Sequence, residues 1–451
     1  MGNHWACWSV VDIRKGVISM EPTIAIIGLG FVGLPLSLVY ASKGYSVIGV
    51  DTNQQLIAKL KLGQTNICEP WNEKTLQESL IESLQNGFFY PTCSYEEALS
   101  KATEIIITVG IPVLSDGSLD YRMFDIAAMT LGRFLKPGMT VLLRSTVPPY
   151  TTRNRFKPLL EDQSHLSAGK DFYLGYASER MAEGKAYEEL TSMPTPVAGI
   201  NETSLTKCSA LLSKICCEVV PSKSMEVVEM SKVVENLSRD VNIAMVNEYA
   251  QYAHSLDIDI SQVIAVANTH RRVNLLSPGP GVGGYCIPNA YYYLAGVESR
   301  CDHLSVCHMS RKMNDLRPST ILSIAENEVK KVGKDPSSAH FALYGIGMKD
   351  YSNDLRLSPS LEIIKLLKEK KYQYRFFDPI NPWEDVGRCE HINEFLEGAD
   401  CLLILNRHDD ESIHRLDKIK KLMSSRPVII DTRSFIDMEK ARKKGFFIFR
   451  C

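Results

Sequence analysis

The chain has 451 residues, 45% of them hydrophobic and 23% charged, with 51 Lys and Arg against 53 Asp and Glu for a net charge of -2. That length holds two or three domains with substantial cores, and the near-neutral balance excludes a basic field for nucleic acid or an acidic tail. Twelve cysteines without any C-x-x-C spacing give neither a zinc site nor a disulfide framework and point to a reducing, cytoplasmic setting. No apolar run approaches the ~20 residues that a membrane crossing needs. Asp12, Arg14 and Lys15 break up the start of the chain where a signal peptide would be apolar, so residues 1–19 read as an extension ahead of a start at Met20.

In chain order, residues 23–27 form an apolar, β-branched run that predicts a strand leading into Gly28-Leu29-Gly30-Phe31-Val32-Gly33. A helix opens over 35–42, and a second strand over 45–50 is closed by Asp51. In that order the first two glycines make a tight turn that admits a pyrophosphate, with Phe31 and Val32 in the same turn. Gly33 permits close helix–strand packing. Asp51 is placed to accept hydrogen bonds from the adenosine ribose and to repel a 2′-phosphate, so the expected cofactor is NAD.

Strands over 104–109 and 140–144 extend the sheet and end at Gly110-Ile111-Pro112 and Ser145-Thr146. Loops at carboxyl ends of parallel strands face the ligand, so Pro112, Ser145 and Thr146 are cofactor candidates. Thr146 is either a nicotinamide-side contact or a plain loop cap. A strand over 172–177 leads into Ser178-Glu179-Arg180-Met181-Ala182-Glu183, where Glu179 orients water, acts as a base or makes a salt bridge.

From 224 to 256 there is no proline or glycine and the apolar spacing is helical, which predicts a long helix that links domains and offers a dimerisation surface. Lys232 and Asn236 stand one turn apart on it. They read either as an oxyanion-stabilising cation with an amide that aims a water, or as surface and packing groups. A cationic stretch at 268–274 carries Arg272, or next to it Arg271, as a candidate for a sugar-nucleotide diphosphate. Behind it, Gly279, Gly281, Gly283 and Gly284 precede Cys286, which puts a thiol at the end of a shaped loop where it can attack a carbon centre.

Around Pro336 a second α/β pattern begins, with strands over 340–345, 373–377, 401–405 and 427–431 and an amphipathic helix over 359–369. It has no second complete glycine fingerprint, so another ligand is expected there. Lys349, Asp354 and Arg356 follow its first strand, where phosphate or uridine contacts fit. The fold class is therefore α/β: two Rossmann-like parallel-sheet domains joined by a central helical region with a long helix.

GLGFVG at Gly28, STVP at Ser145, SERMAEG at Ser178, KVVEN at Lys232, PGPGVGGYCIP at Pro278 and GMKDYSNDLRLSP at Gly347 together resemble the UDP-glucose/GDP-mannose dehydrogenase family. The resemblance runs from Thr23 to about Phe449. It implies an NAD-binding domain at 20–212, a helical dimerisation region with the cysteine loop at 213–325, and a UDP-sugar domain at 326–451. RDVNIAMVNE from Arg239 and RRVNLLSPGPGVGGYC from Arg271 are similar to the branch that acts on UDP-N-acetylhexosamines. The implied partners are thus a UDP-hexose or UDP-N-acetylhexosamine and further copies of the chain, as a homodimer or higher homo-oligomer, with no metal.

In that family the sugar C6 alcohol becomes a carboxylate at the expense of two NAD. By the resemblance Cys286 is the nucleophile that holds the aldehyde, Lys232 stabilises negative charge, and Asn236 is its partner amide. Glu179 and Thr146 join the proton and water network. Arg180, Met181 and Glu183 belong with Glu179 among the substrate contacts, as do Arg272, Gly283, Lys349 and Arg356.

The chain also departs from the family. The aspartate expected four residues after the cysteine is Ala290, and Tyr285 replaces the histidine common in the N-acetylhexosamine branch. Alanine neither takes a proton nor pairs with Lys232, and Asn289 can place a water without acting as a base. Full oxidation to the uronate is the leading expectation. The alternatives are aldehyde release, a redox-neutral conversion, or sugar-nucleotide binding without catalysis.

Overall fold

The computed structural model describes residues 23–67, 69–182, 184–296 and 301–450. The extension ahead of Met20 and the candidate Glu183 lie outside them. The chain divides into two compact units. The first runs to Ile111 and includes Asp120–Lys232; the second takes Pro112–Leu119 and everything from Val233 on.

The first unit contains β1 (Thr23–Ile27), β2 (Val47–Val50), the short hairpin β3 (Pro70–Trp71) and β4 (Lys74–Thr75), then β5 (Phe89–Thr92) and β6 (Ala102–Ile107). They are followed by β7 (Thr140–Leu143), β8 (Tyr173–Ala177), β9 (Thr195–Gly199) and β10 (Val219–Pro221). Eight strands form one sheet in the order β10-β9-β8-β7-β6-β1-β2-β5. Neighbours are parallel except for β8 against β9. The inner strands are mostly apolar and buried, as suits a parallel sheet covered by helices, with Thr103 and Glu104 at the amino end of β6 among the polar exceptions. Ile24, Ile26, Ile106 and Leu142 share a core with Leu34, Leu38 and Val39 of the first helix. Each such fully buried side chain contributes about 1.5–3 kcal/mol. Since β1 lies between β2 and β6, the winding reverses at its carboxyl end, and a sheet of this kind binds its ligand in that crevice.

The glycine turn occupies that point. Gly28 has φ +94°, a conformation that side chains resist. Gly33 opens the helix Gly33–Ser42 against the turn, so that a Cβ on it would meet the Gly28 carbonyl oxygen at 1.7 Å. Gly30 has open space on its Cβ side, with nothing within 4 Å. The sequence predicts β6 as far as Val109, but pairing stops at Ile107. Thr108 instead turns its hydroxyl to donate to the Gly28 carbonyl at 2.6 Å.

The second unit begins inside the long helix Met225–Ser255 and continues through the helices Ile260–Ala267, Cys286–Ala295 and Ser305–Lys331. Its sheet comprises β11 (His340–Tyr344), β12 (Gln373–Phe377), β13 (Cys401–Ile404), β14 (Val428–Asp431) and β15 (Phe447–Arg450), in the order β12-β11-β13-β14-β15 and parallel throughout. The reversal point here lies at the carboxyl ends of β11 and β13. Among the described residues no helix is long and apolar enough to cross a membrane.

Gly33→Ala tests the tight turn. Overpacking of this kind costs about 1–3 kcal/mol, so the variant should melt at a lower temperature and bind NAD at least about tenfold more weakly in a fluorescence titration. Wild-type affinity in a folded variant would contradict the packing argument.

Candidate active site

In the first unit, the groups predicted from sequence gather at the carboxyl ends of the central strands. Asp51 follows β2. Its Oδ2 accepts the Leu29 amide at 2.8 Å and its Oδ1 the Asn53 amide at 2.9 Å. A carboxylate has about four acceptor sites, so each oxygen keeps one for a ribose hydroxyl. The open side of Gly30, the positive φ of Gly28 and the acid at the end of β2 together fit a dinucleotide. Phe31 and Val32 border that turn, Phe31 exposed and Val32 half-buried. Ser145 is buried with its hydroxyl toward the Ile107 carbonyl at 3.4 Å, and Thr146 beside it is half-buried.

Glu179 is 7% exposed and its carboxylate is fully engaged. Oε2 takes the Arg144 Nε at 2.6 Å, while Oε1 accepts the amides of Arg180 at 2.7 Å and Met181 at 2.8 Å. Of the readings open from sequence, the salt bridge is present, but it is buried rather than at the surface: Arg144 is only 1% exposed. Arg180 donates to the Pro194 carbonyl at 2.9 Å. Sequence reasoning missed Arg144, which looks like the last residue of a strand. Its one signal is a charge at the end of an otherwise apolar run.

The long helix buries a polar stripe. Lys232 is 9% exposed, so it is no surface lysine, and Asn236 one turn later is buried too. The same stripe holds two acids that the sequence reading passed over. Glu229 is fully buried and accepts the Tyr150 amide at 2.6 Å, the Thr152 amide at 2.8 Å and the Thr152 hydroxyl at 2.5 Å. In the second unit Asp240 accepts from Arg311 at 2.7 Å and Asn314 at 2.8 Å. Burial pushes the Asp240 carboxyl up, against those two donors. The available signal was spacing: Glu229, Lys232, Asn236 and Asp240 recur at three and four residues, which places them on one helical face.

The second unit holds the cysteine loop from several sides. Asn242 accepts the Leu276 amide at 2.9 Å and donates to the Asn274 carbonyl at 2.8 Å. The Gly279 amide donates to Asn247 at 2.9 Å, and the Gly279 carbonyl accepts Arg317 Nε at 3.0 Å. The Gly284 amide donates to the Arg356 carbonyl at 2.8 Å. On their Cβ sides these glycines admit protein. A Cβ on Gly281 would meet Pro359 at 2.9 Å, one on Gly283 Met348 at 2.8 Å, and one on Gly284 the Met348 sulfur at 2.6 Å. The loop is glycine-rich because it lies flat on the segment after β11.

Cys286 is exposed and is the first residue of the helix Cys286–Ala295. It therefore sits at the positive end of the helix dipole, which favours negative charge developing on sulfur. The Arg356 guanidinium lies 5.1 Å from the centre of the Tyr285 ring next to the thiol, and Arg356 also pairs with Asp354 through Nε at 2.7 Å. Lys349 and Arg272 are exposed. Pro112, expected beside the cofactor, belongs with the second unit, where a Cβ on Gly117 of the same short loop would meet Tyr292 at 2.9 Å. Asn289 and Ala290 are buried in the cysteine helix, so the methyl group at 290 faces packed protein.

A winding-reversal crevice with a dinucleotide turn, and a second parallel sheet fastened to a cysteine loop, define a two-sheet dinucleotide-dependent dehydrogenase. The chain belongs to the UDP-glucose/GDP-mannose dehydrogenase family: its NAD binding domain matches residues 22–218, its central domain 226–315 and its UDP binding domain 342–438. It is an NAD-using enzyme of the nucleotide-sugar dehydrogenase class. The UDP-N-acetyl-D-mannosamine dehydrogenase of Pyrococcus horikoshii is 32% identical over 427 residues, covering 95% of this chain and 98% of that one. The solved structure of the UDP-D-ManNAc dehydrogenase from the same organism superposes with a TM-score of 0.87 at 30% identity, covering 95% and 98%. The native structure of the UDP-N-acetyl-mannosamine dehydrogenase Cap5O from Staphylococcus aureus gives 0.80 at 28% identity over 95% and 98%.

Burial pushes the Glu229 carboxyl up to about 7, against hydrogen bonds from Thr152 and Tyr150 that lower it. The folded chain thus holds this proton more tightly than the unfolded one. Its contribution to stability falls as pH rises from the ordinary value of 4.5 to about 7 and is level above that. The Tyr150 and Thr152 amide resonances are expected to titrate together with a midpoint near 7. Flat shifts for both through that range would contradict this.

Proposed function

We propose that the chain oxidises C6 of a UDP-N-acetylhexosamine, UDP-N-acetylmannosamine first among them, to the uronate through a covalent adduct on Cys286. One observation carries this reading: an exposed thiol at the first turn of a helix, on a loop fixed by Asn242, Asn247, Arg317 and Arg356. The names of the similar proteins support the choice of sugar.

The Gly28–Gly33 turn and Asp51 would hold NAD, which would supply the oxidising power as a hydride acceptor for the two oxidations of C6. The protein does the rest. Lys232 stabilises negative charge on the C6 oxygen, and Asn236 holds that oxygen or a water in line. Thr146 and the loop held by Glu179, with Arg180, Met181 and Glu183, order the water and the sugar. The Cys286 sulfur adds to the C6 aldehyde, and the aldehyde oxygen takes a proton to give the thiohemiacetal. The second oxidation leaves C6 as a thioester. Water then cleaves the carbon–sulfur bond, giving the carboxylate and returning the thiol. Lys349 and Arg356, with Gly283 between the two loops and Arg272 on the approach to the cysteine, hold the nucleotide diphosphate.

Ala290 changes the last step. A general acid–base contribution is worth about 10²–10⁴-fold, and a buried methyl supplies none, so thioester hydrolysis becomes the slow step. Ala290 also favours a second reading, in which the aldehyde leaves or the sugar is rearranged without net oxidation.

The same account puts the protein in the cytoplasm. It also makes the protein a homodimer. Exposed Val227, Met230 and Val234 on one face of the long helix support that.

A panel of UDP-sugars incubated with NAD, read by product mass and NADH yield, tests the reading. Two NADH per uronate are expected from the wild type, and Cys286→Ser should form no uronate while still binding NAD. No NADH from any UDP-sugar would sink the proposal. Tightly held NAD with a changed sugar and no NADH accumulation would favour the second reading.

A further inference from the structure

We propose that Glu229 is a positioning residue that ties the loop bearing Ser145 and Thr146 to the helical turn bearing Lys232. The loop leaves β7 at Leu143 and is first fastened to the sheet, the Arg144 amide donating to the Ile107 carbonyl at 2.9 Å. Pro148 and Pro149 follow Val147 and have no N–H to give, so Tyr150 offers the next amide after Val147. That amide goes to Glu229 Oε2 at 2.6 Å, and the Thr152 amide and hydroxyl go to Oε1 at 2.8 and 2.5 Å. Tyr150 has φ +70°, a left-handed conformation that needs such an anchor. Thr146 therefore lies between two fixed points, one on the sheet and one on the helix.

Glu229 stands three residues before Lys232, a rise of about 4.5 Å on the same face. A second tie runs one turn earlier, where Glu226 accepts from Arg153 Nε at 2.5 Å. That pair is partly exposed, whereas Glu229 is fully buried, so the deeper tie carries the geometry. Glu229 also faces the first amides of the helical stretch that begins at Thr152, which a carboxylate stabilises in its own right. The experiment must separate positioning from that plain capping role.

The inference rests on the reading of Thr146 and Lys232 as groups at the reacting carbon. A displacement of one ångström between groups at a reacting centre costs about 10²-fold in rate. The adenosine half of the cofactor is gripped elsewhere, by the Gly28–Gly33 turn and Asp51. Loss of the Glu229 tie should therefore lower kcat far more than it weakens NAD.

The test uses the full chain as wild type, Glu229→Gln and Thr152→Val, the last removing only the hydroxyl donor. Hydrogen exchange is read on NAD-free protein; NAD affinity and turnover are then measured and normalised to NAD-binding sites. For Glu229→Gln, exchange across residues 144–152 should rise about tenfold while residues 28–33 stay as in wild type. Its kcat should fall about tenfold or more, with Kd for NAD within about threefold. Thr152→Val should move the same quantities in the same direction by less, and it decides the matter if Glu229→Gln does not fold.

Unchanged exchange across 144–152 would overturn the proposal. So would exchange rising evenly over the first unit, or a normal kcat per competent site. If the wild type turns over no UDP-sugar, the proposed function fails. The exchange comparison, made without substrate, still shows whether Glu229 holds the loop.

Discussion

The buried polar face of the helix Met225–Ser255 is the constraint on which the rest of the structure depends. On a helix face that buries Glu229, Lys232, Asn236, Asp240 and Asn247, an unpaired polar group costs about 1–3 kcal/mol and a charge more, and Glu229, Asp240 and Asn247 each have hydrogen-bond partners. The partners are loop backbone in the first unit, at Tyr150 and Thr152, and Arg311, Asn314 and Gly279 in the second. Pairing Glu229 thus ties down the Tyr150–Thr152 backbone within the first unit, and pairing Asp240 and Asn247 ties down their neighbours within the second.

Glycine serves two physical purposes in the chain. At Gly28 and Gly33 it permits a tight turn and a close helix approach, and the Cβ side of Gly30 stays open, with nothing within 4 Å. At Gly281, Gly283 and Gly284 the Cβ side faces Pro359 and Met348, and the glycines let one loop press on another. That pressing sets the start of the cysteine helix, with Arg356 against Tyr285 on one side and Arg317 on the Gly279 carbonyl on the other. Ala290 stands inside this packed helix. Its methyl group is fully buried there, so alanine fits the packing of the helix.

Much of the fold was legible because its signals are local. The strands at 23–27 and 373–377 and the helix at 359–369 follow from apolar spacing and flanking turns, and their observed limits agree. The antiparallel β9 and the edge strands β5 and β10 were not legible, since they are short and a proline (Pro196, Pro91 and Pro221) argues against a strand from sequence. At the site, residue types in order pointed to Cys286, Lys232 and Asp51. Arg144, Glu229, Asp240 and Arg317 escaped because their roles depend on partners 35 to 79 residues away, such as Glu179, Tyr150, Asn314 and Gly279. Charge in an apolar stripe was the one hint, and it does not name the partner.

The central claim is that Cys286 carries the sugar between its two oxidations. The most direct measurement is peptide mass spectrometry of the wild-type chain, acid-quenched during turnover of UDP-N-acetylmannosamine with NAD. The account predicts the mass of the acyl sugar nucleotide on the peptide that contains Cys286, at high occupancy because Ala290 slows its hydrolysis. Uronate formed with that peptide unmodified throughout, or with the adduct on another cysteine, would contradict it.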